Sequence, residues 1–168
     1  MKSFAEHSTL PEIYCDMDGV LADFHKAIDL LYGTHDPLVE LSDEIKQNLT
    51  LAHSDFFATL PWMKDGKALW KFISKFKPNI LSAAPQGWLP DAIPDKKIWI
   101  TQHLRPAPKN IFIGKRSEKR KYAIKQGTAN ILIDDYYRNI KEWREAGGIG
   151  IHHTSTPKTI DELKKLGF

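Results

Sequence analysis

Five short apolar runs punctuate the chain: EIYCDM (12–17), NILSA (79–83), NIFIG (110–114), NILID (130–134) and GIGIHH (148–153). Their apolar residues follow one another almost without interruption instead of alternating with polar ones. Strands of that kind are buried on both faces, as in a parallel sheet covered by helices. Between the runs the spacing becomes helical. GVLADFHKAIDLLYG places Leu21, Phe24, Ile28 and Leu31 on one face and offers Gly33 as a stop. KDGKALWKFISKF repeats the pattern with Leu69, Phe72, Ile73 and Phe76, and PDKKIWITQHL sets Ile98 and His103 around Trp99. RSEKRKYAIKQG reads as a helix from an N-cap at Ser117 to Gly127, RNIKEWREAGG as one from Asn139 to Gly147, and STPKTIDELKKLGF as the last helix.

Strands alternating with helices predict an α/β fold, a doubly wound, Rossmann-like parallel sheet of about five strands. One interval breaks the rhythm. About 60 residues separate the first two strands, where a single crossover helix needs far fewer. The excess reads as a small helical cap inserted after strand one, with Ser42 as an N-cap. The expected division is a core of residues 1–24 and 64–168 and a cap of residues 25–63.

Composition changes this picture little. The 168 residues are 42% hydrophobic and 27% charged, ordinary for one globular domain. A single cysteine, Cys15, forbids an intrachain disulfide, and its neighbours mark it as a core residue. No apolar run reaches the length of a membrane span, and the N-terminal residues lack the apolar stretch of a signal peptide, so a cytoplasmic location is expected. The net charge of +3 is too small to argue for nucleic acid by itself. GKRSEKRKYAIK (114–125), with six basic residues and one Glu, is either a solvated face or a site for phosphate.

Chemistry concentrates where ligands bind an open parallel sheet, at the carboxyl ends of its strands. The first strand ends in Asp16 and Asp18, the second in Ser82, and the fourth in Asp134 and Asp135. Four carboxylates at one edge repel one another unless a cation lies among them. Oxygen ligands in that number suit Mg²⁺ held by Asp16, Asp18, Asp134 and Asp135. Asp16 and Asp18 lie two apart and face one side of a strand. Gly19 then lets the chain turn, so that backbone amides can approach a phosphate. Such a pair suits phosphoryl transfer, with one aspartate attacking phosphorus and the other moving the proton.

DMDGVLADF, ILSAAP, a lysine after strand three and ILIDDYYRNIKEW together resemble the four motifs of the haloacid dehalogenase superfamily. More narrowly they resemble the 5′(3′)-deoxyribonucleotidase family, as do FFATLPWMKDGKALWKF and KKIWITQHL. The resemblance spans Glu12 to about His153. It implies Asp16 as nucleophile and Asp18 as acid/base, with the Asp18 carbonyl also on the metal. It implies Ser82 as the hydroxyl that holds the phosphoryl oxygens, Gly19 and Val20 on the loop whose amides face the phosphate, and Asp135 as the direct metal ligand of the acidic pair. Two points stay open. Where the family often reads Thr-Ser-Pro this chain has SAAP, so Ala83 occupies the hydroxyl position if the match slides by one. The motif-three lysine is one of Lys115, Lys119, Lys121 and Lys125, with spacing favouring Lys119 over Lys121.

The cap would select the substrate. Phe24, Phe56, Phe57 and Trp62 are either stacking partners for a nucleobase or simply the core of the cap. His25, His35, His53 and His103 read as surface or packing residues, and His152 or His153 could touch a substrate at the sheet edge. The expected activity is Mg²⁺-dependent hydrolysis of nucleoside monophosphates, deoxyribonucleotides foremost, through an aspartyl phosphate. The alternatives are another small phosphate ester, a nucleic-acid 3′-phosphate end, or a non-catalytic phosphate-binding module. A nucleic-acid partner is disfavoured because a lid excludes polymer.

Overall fold

The computed structural model describes residues 10–34, 36 and 40–168. Its main sheet holds β1 (Ile13–Cys15), β2 (Asn79–Ala83), β3 (Ile111–Gly114), β6 (Ile131–Asp134) and β7 (Ile149–His152). All are parallel, in the order β3-β2-β1-β6-β7. These are the five apolar runs. A two-stranded antiparallel hairpin, β4 (Ile124–Lys125) with β5 (Thr128–Ala129), lies between β3 and β6 in the chain. The helices are α1 (Phe24–Tyr32), α2 (Asp43–Ala52), α3 (Gly66–Ile73), α4 (Ala92–His103), α5 (Tyr137–Glu145) and α6 (Thr156–Lys165).

Side chains of successive strand residues leave opposite faces of the sheet. On one face Ile13, Cys15, Ile80, Ile131, Ile133 and Ile151 join the large core that includes Leu69, Trp99 and Leu163 from α3, α4 and α6. On the other, Tyr14, Leu81 and Leu132 meet Ile140 and Trp143 of α5. Both faces are therefore covered, which is why the runs are continuously apolar. The strand order reverses between β1 and β6, the crevice at which a doubly wound sheet receives its ligand. No helix among the described residues is long and apolar enough to cross a membrane.

Three local expectations change. RSEKRKYAIKQG does not form one helix from Ser117 to Gly127. Arg116–Tyr122 is 3-10 helical, and the chain then folds back through Gln126 (φ 50°) and Gly127 (φ 79°). Two successive positive φ angles make the two-residue hairpin turn that joins β4 to β5. Asn139 is no cap either. α5 begins at Tyr137, and Asn139, buried in its first turn, donates from Nδ2 to Asp134 Oδ2 at 2.9 Å. α1 starts only at Phe24, because the Asp23 side chain accepts from Lys26 N, and this leaves Leu21 in the preceding turn. Ser42 does cap α2, accepting from Ile45 N at 3.3 Å.

Candidate active site

β1 delivers Asp16 and β6 delivers Asp134 and Asp135 to the crevice between them. One ligand oxygen from each lies within 4.8 Å of the others, so these three carboxylates could bind a metal ion. Asp16 is fixed from both sides: Oδ1 accepts from Met17 N at 2.8 Å, and Oδ2 pairs with Lys119 Nζ at 2.9 Å. Asp134 is fully buried and already engaged. Its Oδ1 accepts from Tyr136 N at 2.9 Å, and its Oδ2 from Lys119 at 2.7 Å and from Asn139. Asp135 carries no such set of bonds and stands exposed at the mouth. It is the better placed of the acidic pair to ligate directly.

Asp18 points to a different cation. Its Oδ2 pairs with Lys96 Nζ at 2.5 Å, while its Oδ1 is buried with no hydrogen-bond partner. Lys96 is fully buried and also donates to Ser82 Oγ at 3.0 Å and to the Ala83 carbonyl at 2.6 Å, with its Nζ 4.6 Å from the centre of the Phe57 ring. If all four are ionised, Asp16, Asp18, Asp134 and Asp135 exceed Lys96 and Lys119, the cations paired with them among the described residues, by two charges, the charge of one divalent cation. The pKa shifts express the same imbalance. Burial, then the Asp16 charge, pushes Asp134 up to about 7 despite Lys119. Asp135 rises to about 8, because the crowded crevice keeps water from its carboxyl although the residue reaches the surface, and then through Asp16 and Asp134. Burial raises Asp18 as well, with Lys96 opposing and Asp16 reinforcing it. Burial alone would lower the Lys119 ammonium, but Asp16 and Asp134 hold it above its ordinary value. Hard oxygen donors, an orphaned buried carboxylate oxygen and a net excess of two charges fit a divalent metal ion.

No protein-family model matches the chain, and no curated protein does. Among solved structures, a hydrolase from Streptococcus pneumoniae TIGR4 superposes with a TM-score of 0.53, covering 92% of this chain and 98% of that one at 14% identity. The likeness is one of fold. An uncharacterized protein from Corynebacterium glutamicum ATCC 13032 Kitasato covers 94% of this chain and 95% of its own at 15% identity, with a TM-score of 0.45 that carries no argument.

Within this fold the cavity at the carboxylates measures about 370 Å³ and is lined by Asp16, Asp18, Gly19, Phe24, Phe57, Ala83, Lys119 and Asp135. Several expected residues are elsewhere. Trp62 does not line it; hydrogen bonds from Asp23 N to Pro61 O and from Met63 N to Leu21 O hold its segment to the loop after β1, and its ring lies 5.0 Å from Trp99. Lys121 is exposed and pairs with Glu118 at 2.8 Å, and Lys125 pairs with Glu12. Of the four candidate lysines, only Lys119 reaches the carboxylates among the described residues. Ser82 is buried with its hydroxyl on Lys96, and Ala83 takes the place on the cavity wall. The amides of Gly19 and Val20 are engaged within the turn in this structure, donating to Ala22 O at 2.8 Å and to Met17 O at 3.3 Å. Gly19 matters instead for its φ of 76° and because a Cβ there would collide with the Asp135 carboxylate. His152 Nε2 lies 2.9 Å from the Asp135 carbonyl, and His153 is buried against Thr159. His53 and His103 lie against aromatic rings, Tyr32 and Trp99, and His35 lies outside the described residues.

The sequence reading missed Lys96, Trp88, Arg116 and the position of His25 on the wall. Arg116 is fixed by Glu142 at 2.9 Å and by Asn139 at 3.1 Å. Lys96 could have been found. Ala92, Trp99, Ile100 and Lys96 share the buried face of α4 at helical spacing, and a lysine on such a face needs a buried anion.

Proposed function

We propose that this chain is a Mg²⁺-dependent phosphatase acting on nucleoside monophosphates, with deoxyribonucleotides its preferred class, through an aspartyl phosphate on Asp16. The observation that carries the reading is the pairing of two buried lysines with three of the four carboxylates, which leaves Asp135 unpaired by either. Lys119 locks Asp16 for attack, and Lys96 holds Asp18 beside it. Asp16 attacks phosphorus in line with the departing ester oxygen. Asp18, whose pKa lies above the ordinary carboxyl value, gives that oxygen its proton. The resulting Asp18 carboxylate then takes a proton from the water that hydrolyses the acyl phosphate, restoring both residues. Asp16, Asp135 and the Asp18 carbonyl would hold Mg²⁺, with Asp134 anchoring Lys119 behind them. The ion supplies the positive charge that lets an anionic carboxylate approach an anionic phosphate. Lys119 adds a further charge, and Phe24, Phe57 and Trp88 give a base an aromatic wall. The likeness in fold to a hydrolase supports the class of reaction. The basic run at 114–125 gives little support to a nucleic-acid substrate, since four of its six cations, Arg116, Lys119, Lys121 and Lys125, are paired with carboxylates.

The test is a panel of deoxy- and ribonucleoside 5′- and 3′-monophosphates and sugar phosphates, assayed for inorganic phosphate with Mg²⁺ and with excess EDTA. The expected result is release from nucleoside monophosphates that EDTA abolishes. Folded protein inert on the whole panel would refute an enzyme. Gly19→Ala should lower kcat/KM by roughly 10²-fold, because the new methyl displaces Asp135 and the metal it would hold. Unchanged kcat/KM in that variant would mean that Asp135 has room to move without cost.

A further inference from the structure

Away from the carboxylates, a second cavity of about 350 Å³ opens between α3 and the C-terminal end of α4. Two aromatic residues, Trp62 and Trp70, line it with three cations, Lys67, Lys71 and Arg105, and with His103. No carboxylate lines it, and none of these cations forms a salt bridge among the described residues. Lined up on one cavity wall with no carboxylate among them, the three are free to meet an anion together. Lys67 and Lys71 stand one turn apart on α3 and present ammonium groups to the same side. Lys67 Nζ lies 5.8 Å from the Trp62 ring centre, and Arg105 bonds only to the neighbouring Leu104 carbonyl at 3.0 Å. The buried Trp70 Nε1–H has no acceptor at all. His103 stacks edge-on to Trp62 at 5.9 Å, and burial, then Lys67, lowers its pKa.

We propose that this cavity is a second ligand site for a planar aromatic polyanion, of which a nucleoside di- or triphosphate is the fitting class. The ring would lie against Trp62 and His103, and the phosphates would gather Lys67, Lys71 and Arg105. Unpaired cations beside the half-buried Trp62 indole match what such a ligand carries, a π-face and several anionic oxygens. The site is not an extension of the catalytic cavity. α4 connects the two, with Lys96 at one end on Asp18 and His103 two turns later on this cavity. The proposal does not depend on the catalytic reading, and its test separates the two.

ADP serves as the probe, measured by titration calorimetry and by quenching of tryptophan fluorescence. The expected result is that the double reversal Lys71→Glu/Arg105→Glu weakens ADP binding at least tenfold and removes the quenching, while phosphate release from the substrate panel is unchanged. Lys71→Gln/Arg105→Gln should weaken binding less. The control Lys121→Glu/Lys125→Glu makes the same change of charge at a distance and should leave binding intact. All four positions are exposed, and thermal melts check that each variant folds. Binding that survives the first reversal, or falls equally in the control, would overturn the site. Tripolyphosphate binding as tightly as ADP would overturn the assignment to a nucleotide.

Discussion

Asp16→Asn should cut phosphate release by at least ~10⁴-fold, the scale on which loss of a nucleophile acts, while leaving the circular dichroism spectrum unchanged. The amide retains the oxygen that accepts from Met17 N, so the turn after β1 keeps its geometry. It loses the charge that, on the proposed mechanism, attacks phosphorus. Single-turnover measurements at saturating Mg²⁺ isolate the chemical step. Residual activity above one part in a hundred would remove Asp16 from the role of nucleophile. The fold should survive because Lys119 retains Asp134 at 2.7 Å. The substitution also relieves one of the repulsions that raise Asp134 and Asp135.

Lys119→Met should act on stability as strongly as on catalysis. The ammonium is buried between Asp16 and Asp134, and breaking a buried ion pair by removing one partner costs about 3 kcal/mol or more. The cost should depend on pH. With Lys119 present, Asp134 already has a folded-state pKa of about 7, well above its unfolded value. A carboxyl raised in this way weakens the fold as pH climbs from the unfolded pKa through the folded one, and without the lysine it is raised further. Urea unfolding should therefore show a larger deficit at pH 8 than at pH 5, where the folded Asp134 carboxyl carries its proton. Equal deficits at both would mean that the loss comes from packing of the alkyl stem, not from charge.

The strands and the four aspartates could be read from sequence because both rest on local signals. A continuously apolar run marks a strand covered on both faces, and a carboxylate at its carboxyl end falls where such sheets bind ligands. Asp16 and Asp134 are where that logic put them. Lys119 is one of four lysines in a basic run, where family spacing favours it over Lys121; its burial among carboxylates, against the exposed Lys121 paired with Glu118, is what the sequence does not show. Helical spacing with Trp99 and Ile100 marks Lys96, but not which anion it meets. In KKIWITQHL either lysine could face solvent, and the choice depends on how α4 lies against Asp18 and Ser82. The turn at Gln126–Gly127 was lost to a plausible helical period in KRKYAIK. Asn130 settles that conflict from outside the segment, donating from Nδ2 to Tyr122 O at 2.8 Å and from its backbone to Ala123 O at 2.8 Å. Trp62 shows the limit for aromatic residues. Composition says that a ring needs cover, but the packing of Trp62 on Trp99 decides which cavity it lines.

The segment that carries Phe57 is fastened to α4 before any ligand arrives. Trp99 Nε1 donates to the Leu60 carbonyl at 2.8 Å, the Asp95 carboxylate faces the Phe57 and Ala58 amides, and Lys96 lies on the Phe57 ring. Phe57 in turn stacks on Phe24 at 5.9 Å. A base entering here meets a wall whose rotamers are already chosen. The entropy of immobilising such side chains, about 0.5–1.5 kcal/mol for each one ordered on binding, is lost during folding and not at the encounter. Affinity at this wall should therefore track the shape of the base more closely than the flexibility of the protein.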